Sequence, residues 1–425
     1  MHQIHIERWL LTLSFSFCLA TLLCSQDLPH AAPEDVGMSA ERLTRLTENF
    51  RKYSDADQLS GGVIMVLREG KVVYHEAFGD ADIDENKVMK KDAIFRIASQ
   101  TKALVSVGIM MLQEEGKLLI SDPLHQYIAE FKDSKVAVAN EDGYEVVPAD
   151  RAITLRDLLT HTAGIGYGYG PGAELWQEAG IQGWYFAHRD EGVLETIKEM
   201  ASLPNEAQPG EKYVYGYNTD ILGAVIEVVS GQSLSTFLKE RILDPLDMKD
   251  THFYLPPEKS ERLATVYSSS DNGVIEAPDP GHMVGQGAYL NGPRKSYSGG
   301  AGLLSTARDY SRFLQMMLNG GTLNGHRLLS PKTVELMTTS HLGEISFPWT
   351  AGVGFGLGFS VLEDLGERGA PGSVGEYGWG GAYHSTYWVD PEEELVVTYF
   401  TQLIPAEGVD DHLKLRTLIY QAILE

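Results

Sequence analysis

The 425-residue chain is 43% hydrophobic and 22% charged, with a formal net charge of −25. That composition excludes a disordered, fibrous or multi-spanning protein. The acidic balance gives no electrostatic attraction to nucleic acid or anionic lipid, so neither is an expected partner.

In chain order, Arg8 precedes an almost uncharged apolar run over residues 10–24 that is too short to span a bilayer comfortably. Residues 1–25 therefore read as a signal peptide, and an exported chain, periplasmic or extracellular, is expected. The mature chain has no stable membrane span in this reading. Lipid attachment at Cys24 is a second reading, opposed by the large Leu23 before it, and an uncleaved anchor is a third. Both cysteines, Cys18 and Cys24, fall in this segment. The remainder, residues 26–425, can hold no disulfide, thiolate nucleophile or Cys-ligated metal.

Apolar runs at 63–67 and 72–78 flank Arg68-Glu69-Gly70-Lys71 and predict a β-hairpin. A buried helix is expected over 103–113, which is apolar nearly all round. Further helices are expected over 154–159, 220–229, 234–243 and 306–318, with a Gly- and Tyr-rich loop over 164–172. Runs at 385–389 and 395–401 around Asp390-Pro391-Glu392-Glu393 predict a second hairpin, and 411–424 a last helix. Strands at both ends and helices between them imply an α+β fold: a mostly antiparallel sheet built from both chain ends and flanked by helices. A mainly helical region is inserted over roughly 120–295 of what reads as a single catalytic domain.

Ser99-Gln100-Thr101-Lys102 is the one Ser-x-x-Lys in the chain. It opens the buried helix, so the two side chains share a face and the amine can reach the hydroxyl. A serine attacks only when a base removes its proton, and a buried lysine can serve. The helix N-terminus offers backbone N–H groups to a developing oxyanion. By itself the tetrapeptide is also an ordinary helix start with a capping serine. Two further segments stand with it: Tyr213-Val214-Tyr215-Gly216-Tyr217-Asn218-Thr219-Asp220 before a helix, and Gly378-Trp379-Gly380-Gly381-Ala382 before the last hairpin.

As a set these resemble the serine β-lactamase and penicillin-binding-protein superfamily. The resemblance runs from about residue 33 to the C-terminus. It includes Phe95-Arg96-Ile97-Ala98, Leu158-Leu159-Thr160-His161-Thr162-Ala163-Gly164 and Gly299-Gly300-Ala301-Gly302-Leu303-Leu304-Ser305-Thr306. Within it the chain looks most like the class C-like family VIII carboxylesterases. Their Tyr-Ser-x-x-x-Asp-x-Leu-Gly frame selects Tyr215, while a rival frame selects Tyr217. The resemblance implies Ser99 as nucleophile, Lys102 and Tyr215 sharing proton transfer, and the N–H groups of Ser99 and Ala382 as oxyanion hole. Which of Lys102 and Tyr215 is the immediate base stays open. Trp379, Gly380, Gly381 and Tyr217 would line the substrate site; Trp176, Trp184 and Tyr185 are further candidates for the cleft wall or for packing.

Class C β-lactamases carry Lys-Thr-Gly where this chain has Trp379-Gly380-Gly381, and Asn where it has Tyr217. The resemblance thus implies that a carboxylate-binding lysine is absent, which favours a neutral small-molecule ester over a β-lactam or a D-alanyl-D-alanine terminus. His161 falls in a segment that resembles a structural loop of the family. His384 stands where relatives often have glycine. No Gly-x-Ser-x-Gly, His-Glu-x-x-His or phosphate-binding Gly-Lys-Ser/Thr loop occurs, and the mechanism calls for no cofactor or metal. The expected activity is serine hydrolysis of small acyl esters, with acyl transfer, β-lactam or D-amino-acid peptide cleavage as alternatives, and non-catalytic binding as a reading of another class.

Overall fold

Residues 63–67 are apolar at every position, and alternate side chains of a strand point to opposite faces. Such a strand needs cover on both sides. The computed structural model, which describes residues 27–424, supplies it. The expected signal peptide and both cysteines lie outside the described residues.

Three strands come from the N-terminal part: β1 (Gly61–Arg68), β2 (Lys71–Asp82) and β3 (Lys87–Val88). Five come from the C-terminal part: β4 (Val353–Phe355), β5 (Ser360–Leu362), β6 (Tyr377–Gly380), β7 (Thr386–Asp390) and β8 (Leu395–Thr401). They form one eight-stranded antiparallel sheet in the order β4-β5-β6-β7-β8-β1-β2-β3. The two chain ends meet at its centre, where Gly62 to Arg68 pair with Thr401 to Leu395.

On one face, Ile64, Val66, Trp388, Val397 and Tyr399 pack against α1 (Ala40–Asp55) and α6 (Asp411–Tyr420). On the other, Val63, Met65, Leu67, Val396 and Phe400 join the larger core built around α2 (Thr101–Glu114) and α5 (Ala307–Leu318). Every residue of α2 from Thr101 to Leu112 is buried, so this helix is the inner axle on which the site is mounted.

The central region carries α3 (Leu155–Leu159), started by a capping box between Thr154 and Asp157, and α4 (Asn218–Ser230). It also holds two small hairpins, Lys135–Asn140 with Gly143–Pro148 and Tyr267–Ser270 with Gly273–Glu276. Neither hairpin is among the predicted elements, because their strands are largely exposed and carry no buried apolar stripe. The run over 234–243 splits into an α-helix, Leu234–Leu238, and one π turn, Lys239–Leu243.

Candidate active site

The turn before α2 places Ser99. Ala98 has φ of 40°, in the left-handed region that L residues seldom occupy. The end of β6 closes against this turn: a Cβ on Gly381 would lie 2.5 Å from the Ile97 carbonyl oxygen. Glycine is thus required for the strand to approach the serine so closely. Ser99, Trp379, Gly380, Gly381 and Ala382 line one cleft of about 580 Å³, together with Tyr167, Trp184, Tyr215, Trp349, His384 and His412.

Lys102, 2% exposed, extends from the first turn of α2 to this cleft. Its Nζ lies 3.3 Å from Ser99 Oγ, 3.2 Å from the Tyr167 hydroxyl and 2.7 Å from the Gly300 carbonyl oxygen. It also sits 4.6 Å from the centre of the Tyr215 ring. No carboxylate among the described residues pairs with it directly. Buried Asp220 acts at one remove, accepting from Ser298 Oγ at 2.6 Å and from the Gly300 backbone N–H at 2.9 Å. Burial raises the Asp220 pKa, against the pull of Lys102 and these hydrogen bonds.

The structure separates the two tyrosine frames. Tyr215 faces the cleft, where its hydroxyl accepts from Trp379 Nε1 at 3.1 Å. Tyr217 is fully buried, stacked between Trp176 and Phe186, and donates to the Gly183 carbonyl at 2.6 Å. It does not line the cleft. Trp176 and Tyr185 likewise sit in the core, whereas Trp184 reaches the cleft and meets Tyr383 edge-on. Gly216 lets the Tyr215 segment lie against the loop backbone at Ile165 and Gly166, where a Cβ would approach to 2.3 Å.

Tyr167 is absent from the residues selected on sequence, yet its hydroxyl is the one that meets Lys102. Burial first, and the neighbouring Tyr215 second, push its pKa well above the ordinary value, so it stays a neutral phenol. Glu206 holds its loop by accepting from the backbone N–H groups of Gly170, Gly168 and Tyr169. The only sequence signal was the Gly-Tyr alternation of that loop. Trp349 was also missed; it packs edge-on to Tyr215 at 5.1 Å and extends an aromatic wall from Trp379.

His161 takes no part in the cleft surface. Burial, and then the nearby Lys102, hold its pKa well below the usual imidazole value, so it is neutral. Its Nδ1 accepts from Asn218 Nδ2 at 2.9 Å and its ring packs 4.6 Å from that of Tyr215. The segment containing it is a support that aims Tyr215.

A large antiparallel sheet covered by helices, with a serine and a lysine one helical turn apart at the start of the central helix, is an arrangement for acyl chemistry on serine. Residues 46–420 match the beta-lactamase family, and the chain belongs to it. It is 34% identical to Protein Rv1367c of Mycobacterium tuberculosis over 85% of this chain and 90% of that one. To the esterase EstB of Burkholderia gladioli it is 30% identical, over 85% and 91% of the two chains. Among solved structures, EstCE1, described as a hydrolase with promiscuous acyltransferase activity, superposes with a TM-score of 0.77 at 25% identity, covering 89% of this chain and 98% of that one.

Proposed function

We propose that this member of the family is a serine hydrolase that cleaves small acyl esters through a covalent acyl-Ser99 intermediate. The observation that carries this reading is the placement of Lys102 Nζ, 3.3 Å from Ser99 Oγ and anchored by Gly300 and Tyr167. Lys102 can act as the base only as the free amine, which has two N–H groups and one lone pair. Donating to the Gly300 carbonyl and the Tyr167 oxygen leaves the lone pair for the Ser99 O–H. Lys102 can then take that proton as Oγ attacks the acyl carbon, and return it to the leaving alcohol. The N–H groups of Ser99 and Ala382 are the oxyanion donors in this scheme, and Tyr215 stands across the same cleft as the second proton carrier.

The aromatic wall of Tyr215, Trp349 and Trp379 supports a neutral, apolar group on one side of the ester. Trp379 offers no positive charge to a carboxylate, which sets β-lactams and D-alanyl peptides behind esters. Acyl transfer to an alcohol uses the same machinery and is the second reading, supported by the likeness to EstCE1. Export by the N-terminal segment remains part of the proposal, from the apolar run over 10–24.

The test is a direct comparison of p-nitrophenyl butyrate with a chromogenic cephalosporin. The expected result is a kcat/KM at least about a hundredfold higher on the ester, a difference of about 3 kcal/mol in transition-state binding. A preference for the cephalosporin would overturn the substrate class.

A further inference from the structure

His384 lines the same cleft as Ser99, two residues beyond Ala382, and the scheme above gives it no task. Its backbone has φ of 68°, in the left-handed region where glycine sits free and an L side chain does not. Its ring is held from two sides. His384 Nε2 lies 2.8 Å from Asp411 Oδ1, and Asp411 is 0% exposed with its Oδ2 accepting from the Tyr399 hydroxyl at 2.8 Å. The His412 ring stacks on it at 4.1 Å, while His412 Nε2 donates to the His384 carbonyl at 2.9 Å.

This arrangement fixes the tautomer. Burial opposes ionisation of Asp411, but the hydrogen bond from His384, together with that from the Tyr399 hydroxyl, holds the carboxyl below its ordinary pKa. A carboxylate only accepts, so His384 Nε2 carries hydrogen, and in the neutral ring Nδ1 is a bare acceptor. None of the described residues donates to Nδ1. What binds there must bring an O–H or N–H. The trio brings ligand atoms within 4.8 Å of one another, but His384 Nε2 is already turned to Asp411 and His412 Nε2 to the His384 carbonyl, with the two rings within 16° of parallel.

We propose that His384, oriented by Asp411, is the base of the second half-reaction, an inference that rests on the acyl-Ser99 reading. Water or an alcohol donates its O–H to Nδ1. As that oxygen bonds to the acyl carbon, its proton passes to Nδ1 and the imidazolium is stabilised by Asp411. The bond from the acyl carbon to Ser99 Oγ breaks, and the proton returns from His384 through water in the cleft to the expelled Oγ. Acylation needs only Lys102 and the tyrosines; release needs His384.

The experiment is stopped-flow hydrolysis of p-nitrophenyl butyrate by the full mature chain and by His384→Asn and His384→Gly. Both replacements suit the left-handed backbone, and thermal unfolding checks that they fold. The expected result is an undiminished burst of one p-nitrophenolate per site, then a steady rate about a hundredfold below wild type, with butyryl-Ser99 accumulating in the intact mass. Wild-type steady rates in both variants would overturn the proposal. So would equal loss of burst and steady rate in folded variants, since the ring would then serve acylation. Failure of the acyl-Ser99 reading is separate: no butyryl group would appear on Ser99 in any of the three proteins, and Ser99→Ala would hydrolyse the ester at the wild-type rate.

Discussion

Lys102 Nζ meets three oxygens, and two of its partners were not visible in the tetrapeptide that contains it. Tyr167→Phe removes one hydrogen bond without opening a cavity. We expect kcat/KM on p-nitrophenyl butyrate to fall about tenfold, the worth of one hydrogen bond of about 1.4 kcal/mol, with the unfolding midpoint nearly unchanged. Tyr215→Phe distinguishes the phenols: a loss of about a hundredfold or more marks Tyr215 as a proton carrier, while a smaller loss than in Tyr167→Phe assigns that work to Tyr167. The meeting of Ser99, Lys102 and Tyr215 at one cleft was legible because each lies at or just before a helix start, where a short motif fixes the spacing. Tyr167 was not, because it reaches Lys102 from a loop, and loop contacts leave no periodicity. The burial of Tyr217 was equally hidden: two residues from Tyr215, it turns to the opposite side into a slot between Trp176 and Phe186.

At the scale of elements, the site is the junction of the turn before α2 with the end of β6. Gly381→Ala drives a Cβ to 2.5 Å from the Ile97 carbonyl oxygen, and backbone on both sides must yield. We expect destabilisation of about 1–3 kcal/mol, read as a lower denaturant midpoint. Because Ala382 follows directly, kcat should fall more than the stability loss explains. A variant with wild-type midpoint and kcat would show that the two elements are not in this contact. The two terminal hairpins and the buried helix were legible from their apolar runs, since β1, β7, β8 and this helix are almost wholly buried and β2 pairs directly with β1. The short β4 and β5 strands and the two exposed hairpins of the central region were not, because their pairing is decided by tertiary neighbours.

The whole molecule is two hydrophobic layers around one sheet, under a surface of net charge −25. Buried carboxyls set its response to pH. Burial raises the Asp309 pKa to about 6, although its carboxyl accepts from the Asp250 N–H and the Thr251 hydroxyl. A folded-state pKa above the unfolded one means that the native state binds the proton more tightly. That contribution to stability is fully present below about pH 4 and is lost as pH rises through about 6. The test is Asp309→Asn, whose side-chain amide oxygen can accept the same two bonds without charge, in urea unfolding at several pH values. We expect wild type to lose about 2 kcal/mol relative to this variant between pH 4 and pH 7. A difference that does not change with pH would contradict the burial argument.

Ser99 is the residue on which the acyl group must sit for any of this chemistry to follow. The most direct measurement compares p-nitrophenyl butyrate hydrolysis by the mature protein and by Ser99→Ala, with the intact mass of each recorded after a fluorophosphonate. The expected result is a clear rate and one covalent label on Ser99 in the wild type, and neither in the variant. An equal rate in both proteins, or a label that persists in the variant, would contradict a Ser99 acyl-enzyme.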